Sequence, residues 1–406
     1  MLSDRPQQPL PVRISSAKEW LKVRVGRGAQ LTFDDVHAAA TIWSGGLDDP
    51  GDPYYAEPLR RLLASTRTAD LTAAGRRHVW NQVCASLARR MRLVDEQRRS
   101  PGIFTAELRR PFLVMGLARS GTTHLHRLLA ADARFRGIPA WELSNPFPPR
   151  KGADRRRELA WRSYEQRPTS NDHIHFGDPD SPEECTILMM SSFMSGLYWG
   201  AAPLYDYAEW LLELGSDLDE PAYVEHRDYL LYLQSVSPGT ALALKSPDHT
   251  ARLATVARVL PEAMIVNTVR DPVAATNSAQ SLVHQYHRQT ARRLDVRRTA
   301  HLNLSLMEHE VRTHIAARDA SSIPLIDVHY DDLVRRPIDV VRAIYEFHGV
   351  DWPTGHEARL QEHLDANPAG KHGAHSYRSE DFGLTDGDIR HRFADYYDYF
   401  GVDPSR

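Results

Sequence analysis

Short apolar runs recur along the chain from residue 111 onward, and most are followed by a segment long enough for a helix. The runs are nearly continuous rather than alternating with polar residues, which is typical of parallel strands covered on both faces. Strands that alternate with helices predict an α/β fold with a doubly wound parallel sheet flanked by helices. The predicted strands span 111–115, 241–244, 263–266 and 324–328, and the predicted helices include 248–260, 272–290 and 337–348.

The first 107 residues show a different pattern, with apolar residues at helical spacing and no phosphate-site signal. Leu59, Leu62 and Leu63 recur at this spacing, as expected for one face of an amphipathic helix. We therefore predict a helical N-terminal extension over 1–107 that packs on the core of a main domain over 108–406.

The near-equal numbers of cationic and anionic residues limit the kinds of partner that the protein can bind. The 406 residues include 50 Lys and Arg against 53 Asp and Glu. A non-specific nucleic-acid binder needs a basic surface to neutralise phosphates, so we expect no nucleic-acid partner. No stretch reaches the roughly 18 consecutive apolar residues of a membrane span. The N-terminal residues contain no apolar signal core, so we expect no membrane span and a cytoplasmic location.

The cysteines and histidines show no metal-binding pattern. Cys84 and Cys185 are isolated and far apart, so they form neither a disulfide framework nor a ligand spacing. The 20 histidines contain no H-E-x-x-H motif or clustered Cys/His spacing. We therefore expect no metal.

A glycine-containing turn lies between the first predicted strand and its helix, with the sequence Gly116-Leu-Ala-Arg-Ser-Gly-Thr-Thr. Two glycines five residues apart in this context are the spacing of a loop whose backbone N–H groups bind a phosphate. The hydroxyls of Ser120, Thr122 and Thr123 can add donors. In nucleotide triphosphatases a lysine follows the second glycine, whereas Thr122 occupies that position here. The turn predicts a P-loop-like site for a 5′-phosphate and argues against kinase or ATPase chemistry.

Three further residues lie at or after the carboxyl ends of predicted strands, where ligands bind in open α/β sheets. Arg270 follows the third predicted strand and can bind a second phosphate through two parallel hydrogen bonds, with Ser278 eight residues further on. Lys245 ends the second predicted strand. Only five of the 50 cationic residues are lysines, so a lysine in this place points to a functional role.

Together these segments resemble the nucleotide-dependent sulfotransferases, in particular the broad bacterial group that includes the tyrosylprotein and heparan-type enzymes. The resemblance spans roughly residues 110 to 400 and rests on several motifs in the family's order. These motifs are the glycine-containing turn, Trp141-Glu142, Leu244-Lys-Ser-Pro-Asp-His, Ile265-Val-Asn-Thr-Val-Arg-Asp-Pro with Ser278, Tyr330-Asp-Asp-Leu and the Lys371-His-Gly-Ala-His-Ser-Tyr tail.

The resemblance implies 3′-phosphoadenosine-5′-phosphosulfate as sulfuryl donor, adenosine 3′,5′-bisphosphate as product and no metal. It implies that the loop segment Arg119, Ser120, Gly121, Thr122 and Thr123 holds the 5′-phosphosulfate. It further implies that Arg270 and Ser278 hold the 3′-phosphate, that Tyr330 belongs to the cofactor site, and that Lys371 lies in a segment, 365–400, that closes over the cofactor.

Sulfuryl transfer by in-line displacement needs positive charge at the transferring group and a base for the acceptor. Arg119 and Lys245 suit the first role. Three candidates exist for the second: Glu142, in the region where related enzymes place a glutamate base, His249, four residues after Lys245, and the 172–184 segment. The acids and histidines of that segment, which include His173, His175, Glu183 and Glu184, could line the acceptor side.

The acceptor itself is predicted only by class. The segment 142–235 is rich in aromatic residues and is predicted to be a helical insertion on the acceptor side. A small, hydroxylated and partly apolar acceptor fits this composition, because no extended basic stripe for polyanions is evident. Two other hypotheses remain open at this point: a kinase-like phosphotransferase, and a non-catalytic module that only binds the nucleotide.

Overall fold

One parallel sheet forms the centre of the chain. The computed structural model describes residues 31–166, 177–214, 216–320, 322–367 and 378–404. Within these ranges five strands pair in the order β2-β3-β1-β4-β5, and every pairing is parallel. The strands are β1 Phe112–Gly116, β2 Phe135–Gly137, β3 Ala241–Lys245, β4 Met264–Val269 and β5 Leu325–His329. The predicted α/β fold with a parallel sheet is confirmed.

Four of the five strands coincide with the predicted apolar runs; β1 and β4 are buried at every position, whereas β5 is mostly half-buried. The run from Phe112 to Gly116 is buried at every position, as expected for a central strand covered on both faces. The sequence pattern does not predict β2, because this edge strand has only three residues and includes the polar Arg136.

Helices cover both faces of the sheet and form the N-terminal region. The predicted helix over 272–290 is observed at these residues; it begins at Pro272, where the missing N–H costs no helical hydrogen bond, and Asp271 caps it. The predicted helix over 248–260 divides into a 3₁₀ turn, Pro247–Arg252, and a short α-helix.

The helices up to the third strand are α1 Phe33–Trp43, α2 Ala56–Thr68, α3 Ala73–Arg99, α4 Pro101–Phe104, α5 Thr122–Leu129, α6 Ala140–Ser144, α7 Arg156–Glu165, α8 Thr186–Met189, α9 Leu197–Ala201, α10 Tyr205–Glu213 and α11 Ser216–Ser235. The later helices are α12 Leu253–Val259, α13 Pro272–Thr290, α14 Val296–Asp319, α15 Tyr330–Arg335, α16 Pro337–Phe347, α17 His356–Ala366, α18 Asp386–Arg392 and α19 Ala394–Phe400.

The N-terminal helices share a hydrophobic core with the segment around α9 and α10. Leu59 and Leu62 of α2 and Val83 of α3 belong to the same buried cluster as Tyr198 and Tyr207. Many of the aromatic residues of 142–235 are therefore core residues. Their burial holds the α9–α10 segment against the N-terminal helices.

The carboxyl ends of four strands meet at one edge of the sheet. Gly116 ends β1, Lys245 ends β3, Arg270 follows β4 and Tyr330 follows β5. Because parallel strands present all their carboxyl ends on the same side, residues far apart in sequence converge there. In the part of the chain that the structure describes, no helix is long and apolar enough to cross a membrane.

Candidate active site

The glycine-containing turn forms a tight loop between β1 and α5. Gly116 has φ 129°, and a Cβ atom there would lie 2.4 Å from the backbone oxygen of Thr268 on the neighbouring strand. Gly121 has φ 94° and precedes α5, and a Cβ there would lie 2.9 Å from the ring of Tyr330. Both positions therefore require glycine, and the loop places the N-terminus of α5 at the edge of the sheet.

The hydroxyls of this loop have different roles. Ser120 is fully buried, and its hydroxyl donates to the Leu117 carbonyl and contacts the hydroxyl of Thr268. The Ser120 side chain therefore stabilises the loop from inside the protein. Thr122 and Thr123, in the first turn of α5, line the adjoining cleft and present their side of the loop to a ligand.

Two predicted phosphate ligands, Arg119 and Arg270, lie together at this loop. The Arg270 guanidinium donates a 2.6 Å hydrogen bond to the Arg119 carbonyl and stacks 4.1 Å from the centre of the Tyr330 ring. Arg119 has φ 70°, and its Nε donates to the Ser278 hydroxyl at 3.0 Å. Burial, reinforced by the charge of Arg270, lowers the pKa of Arg119. The structure thus brings Arg119, Arg270, Ser278 and Tyr330 into one group.

Lys245 lies beneath this edge, with no exposed surface. Its Nζ is 2.9 Å from Glu184 Oε1 and 3.4 Å from Glu183 Oε1. Burial lowers the pKa of Lys245, but the two carboxylates outweigh that effect, and the net shift is upward. The lysine is therefore cationic, and its charge offsets acidic groups at the cleft, since Glu184 lines it.

The two predicted bases lie outside the group of residues that line the cleft. Glu142, in α6, is buried and forms an ion pair with Arg136 of β2; burial, opposed by the charge of Arg136, raises its pKa. His249 is fully buried between the Tyr223 hydroxyl and the Cys185 thiol, and burial lowers its pKa well below the usual range. Their catalytic roles stay predictions. Lys371, His173 and His175 lie outside the described residues.

A cleft of about 670 Å³ adjoins the phosphate loop and has three kinds of wall. The loop and its neighbours contribute Arg119, Gly121, Thr122, Thr123, Arg270 and Tyr330. Helices α9, α10, α13 and α14 contribute an apolar wall that includes Leu197, Trp199, Leu211, Leu282, Leu306 and Met307. The third wall is acidic and is formed by Glu184, Asp219, Asp248 and Glu310.

Sequence reasoning missed most of the acidic wall. Arg252 forms an ion pair with Asp219 at 2.8 Å, and Asp248 accepts a hydrogen bond from Ser195. Glu310 has one buried oxygen, Oε2, without a hydrogen-bond partner; burial, together with the charge of Asp248, raises its pKa to about 8. Asp248 follows the Lys-Ser-Pro motif closely, and this position could have signalled it. Asp219 and Glu310 lie on separate helices, and no motif marks them.

The family of the chain follows from a match over more than half of its length. Residues 111–354, which include the phosphate loop, Lys245, Arg270 and Tyr330, match the model of the sulfotransferase family. The chain belongs to this family. The resemblance seen in the motifs is thus confirmed, and the protein is a sulfotransferase, an enzyme that transfers sulfuryl groups. This decides against the kinase-like and non-catalytic hypotheses.

The similarity to known relatives covers a larger part of the chain than the family match does. The omega-hydroxy-beta-dihydromenaquinone-9 sulfotransferase Stf3 of Mycobacterium tuberculosis is 23% identical over 316 residues, which cover 73% of this chain and 77% of that protein. The solved structure of sulfotransferase STF9 from Mycobacterium avium covers 93% of this chain and 98% of its own, with a TM-score of 0.83 and 26% identity. Sulfotransferase STF1 from Mycobacterium tuberculosis covers 91% and 100%, with a TM-score of 0.79 and 27% identity. The N-terminal helices therefore belong to a fold shared with other sulfotransferases.

Proposed function

We propose that this sulfotransferase moves the sulfuryl group of 3′-phosphoadenosine-5′-phosphosulfate to a hydroxyl, or an amine, of a small and partly apolar acceptor. The observation that carries the proposal is the composition of the cleft, in which a phosphate loop with two arginines adjoins an apolar wall. A nucleotide that carries several negative charges needs the first wall, and an apolar acceptor needs the second.

The donor is held by the residues that the strand ends bring together. In this proposal the N–H groups at the start of α5, with Arg119, Thr122 and Thr123, bind the 5′-phosphosulfate. Arg270 and Ser278 bind the 3′-phosphate. The Arg119 Nε lies 3.0 Å from the Ser278 hydroxyl, so the residues proposed for the two phosphate groups adjoin each other, as two phosphate groups on one ribose require.

The transfer is an in-line displacement at sulfur. The acceptor oxygen forms a bond to sulfur while the bond from sulfur to the bridging phosphate oxygen breaks, and adenosine 3′,5′-bisphosphate leaves. Arg119 and Lys245 offset the negative charge that develops on the sulfuryl and leaving oxygens. The acceptor proton must move to a base as its oxygen attacks.

Glu184 is the carboxylate of the cleft wall that lies nearest the catalytic cation, 2.9 Å from Lys245. From the 172–184 segment we therefore keep Glu184 as a proposed base beside Glu142 and His249, since a base must lie within hydrogen-bond reach of the proton it takes. Separate Glu184→Gln, Glu142→Gln and His249→Asn variants discriminate among the three. The variant without the base should lose about 10²- to 10⁴-fold in kcat and still bind the bisphosphate product.

The apolar wall indicates the class of acceptor. Trp199, Leu211 and Met307 are buried apolar residues that line the cleft, and the relative Stf3 is named for an omega-hydroxy menaquinone acceptor. We propose an acceptor with a terminal hydroxyl on an apolar body. In this proposal Glu310 and Asp248 form hydrogen bonds with the polar groups of that acceptor.

Labelled-donor assays test the proposed reaction. With ³⁵S-labelled donor and a panel of hydroxylated quinones, phenols and oligosaccharides, label should pass to an apolar hydroxylated acceptor, and Arg119→Ala should abolish the transfer. With γ-labelled ATP and magnesium, no label should be transferred. Transfer from ATP, or transfer only to oligosaccharides, would contradict the proposal.

A further inference from the structure

A cysteine and two histidines converge behind the cleft wall. Cys185, His226 and His249 each offer one ligand atom, and these atoms all lie within 4.8 Å of one another. Cys185 retains 1% of its exposure, and both histidines retain none. The three residues come from three elements: the segment before α8, the middle of α11 and the 3₁₀ turn after β3. No spacing along the sequence marks the group, because it exists only in the folded chain.

The His249 ring is oriented as the ring of a metal-binding histidine is. Its Nδ1 lies 2.7 Å from the Tyr223 hydroxyl, and its Nε2 lies 3.1 Å from Cys185 Sγ. When Nδ1–H donates to the tyrosine oxygen, the lone pair of Nε2 faces the sulfur. Metal-bound histidines characteristically use their second ring nitrogen in this way, which fixes the tautomer and the ring orientation.

His226 supplies an independent observation. It has no exposed surface, and neither of its ring nitrogens has a hydrogen-bond partner. Buried polar atoms are nearly always paired, so a histidine with two unpaired nitrogens calls for a ligand.

We propose that Cys185, His226 and His249 bind one zinc ion, a role that excludes His249 as the catalytic base because both of its ring nitrogens are then engaged. A thiolate with two imidazoles is a ligand set that suits zinc. Tetrahedral zinc places such ligand atoms about 3.3–3.6 Å apart. The sulfur and the His249 nitrogen, now 3.1 Å apart, would separate slightly, and the His226 nitrogen, within 4.8 Å of both, would complete the set after a small adjustment. In the metal-free group the Cys185 thiol holds its proton at neutral pH, as an ordinary cysteine does. Zinc binding forms a bond to sulfur and releases that one proton to solvent.

The position of the group implies a structural role at the active site. Cys185 directly follows Glu184, and His249 directly follows Asp248, so both lie next to residues of the cleft wall. The backbone N–H of Cys185 also donates to the Lys245 carbonyl at 3.1 Å. A zinc ion here would join these two segments to α11 and hold Glu184, Lys245 and Asp248 in fixed relative positions.

Metal content and cobalt spectra test the site on the full chain. Protein expressed with added zinc and dialysed against metal-free buffer should retain about one zinc per chain. The Cys84→Ala variant should retain the same amount, because Cys84 is the other buried cysteine and lies in a different hydrophobic cluster. The Cys185→Ala and His226→Gln variants should retain less than about a tenth of it.

Cobalt separates ligation from folding. Metal-free protein given Co²⁺ should develop a near-ultraviolet thiolate-to-cobalt absorption band, and Cys185→Ser should lack this band while keeping the far-ultraviolet circular dichroism of the wild type. Absence of bound zinc together with absence of the cobalt band in the wild type would overturn the proposal. Retention of the band in Cys185→Ser would also overturn it. So would a metal analysis that finds copper bound to the dialysed protein in place of zinc. Where Cys185→Ser does not fold, the same readouts on His226→Gln decide the question.

Discussion

The Arg270 guanidinium donates a 2.6 Å hydrogen bond to the backbone carbonyl of Arg119. This contact joins the residue after β4 to the loop after β1, and Arg119 adopts the left-handed φ of 70° at that point. A non-glycine residue is uncommon in this conformation, so the contact helps to hold the loop in its binding geometry. Arg270 thus has two functions in our proposal: it orders the phosphate loop and binds the 3′-phosphate.

Replacement of Arg270 should weaken nucleotide binding. We expect Arg270→Ala to raise the Kd of adenosine 3′,5′-bisphosphate by about 10- to 100-fold, because a charge-assisted hydrogen bond and a loop contact are both lost. Arg270→Lys should recover little of this, since lysine keeps the charge but not the planar fork. Isothermal titration calorimetry measures both. Arg335→Ala is the control, because this exposed arginine does not line the cleft; an equal loss in the control would contradict the assignment.

Lys245 should affect turnover much more than product binding. In our proposal the charge of Lys245 offsets the negative charge that develops on the sulfuryl group during transfer. Lys245→Ala should therefore lower kcat by about 10²- to 10³-fold. The Kd of the bisphosphate, which lacks the sulfuryl group, should change by less than about threefold. Steady-state assays and calorimetry give the two quantities. Lys151→Ala, which removes an exposed lysine, should leave both unchanged. A parallel loss of product binding in Lys245→Ala would mean that the lysine holds the nucleotide instead.

The strand ends can be predicted from the sequence because their physical signal is local. A buried parallel strand needs a continuous apolar run, and the residue after it must lie at the carboxyl edge of the sheet. For this reason the apolar runs alone place Lys245 and Arg270 at that edge, where the structure has them. The short edge strand β2 lacks this signal, since Arg136 interrupts its three residues.

The acidic wall and the Cys–His group depend on helix packing, which spacing does not reveal. Glu310 lies within α14 and Asp219 within α11, and neither falls in a motif. His249 shows the same limit of prediction from the sequence, because here the spacing predicts a place at the cleft that the packing does not give it. Its position four residues after Lys245 suggests the cleft, but the 3₁₀ turn directs its ring into the core between Tyr223 and Cys185.

Gly116 should not tolerate a side chain. Gly116→Ala must place its Cβ against the backbone of Thr268 at a φ of 129°, and backbone atoms of a central strand cannot easily move aside. We expect a loss of unfolding free energy of about 2 kcal/mol or more. Urea denaturation measures the change. Gly102→Ala is the matched control, because a Cβ there meets no atom within 4 Å, and alanine in a helix should be neutral or stabilising. Equal stability of Gly116→Ala and the wild type would show that the loop can rearrange.

Glu310 should make the stability of the protein fall as pH rises toward 8. Its folded pKa of about 8 lies far above the value near 4.3 of an unfolded glutamate. Between these two pH values the folded chain holds a proton that the unfolded chain has lost, so this group opposes folding increasingly as the pH rises. Glu310→Gln removes the titration and keeps the shape of the side chain. Relative to the wild type, the variant should gain unfolding free energy between pH 5 and pH 8.5, on the order of 1–3 kcal/mol.

The comparison with Glu308 isolates this effect. Glu308, on the same helix, forms ion pairs with Arg312 and Arg392, and Glu308→Gln removes a carboxylate from α14 without removing an unpaired buried oxygen. Urea denaturation at half-unit pH steps should show a rising difference from the wild type for Glu310→Gln, whereas Glu308→Gln should show no gain at alkaline pH. If the two variants follow the same curve, the Glu310 carboxyl is ionised across this range. It would then recognise the acceptor as an anion that only accepts hydrogen bonds, from a hydroxyl or an amine of the acceptor.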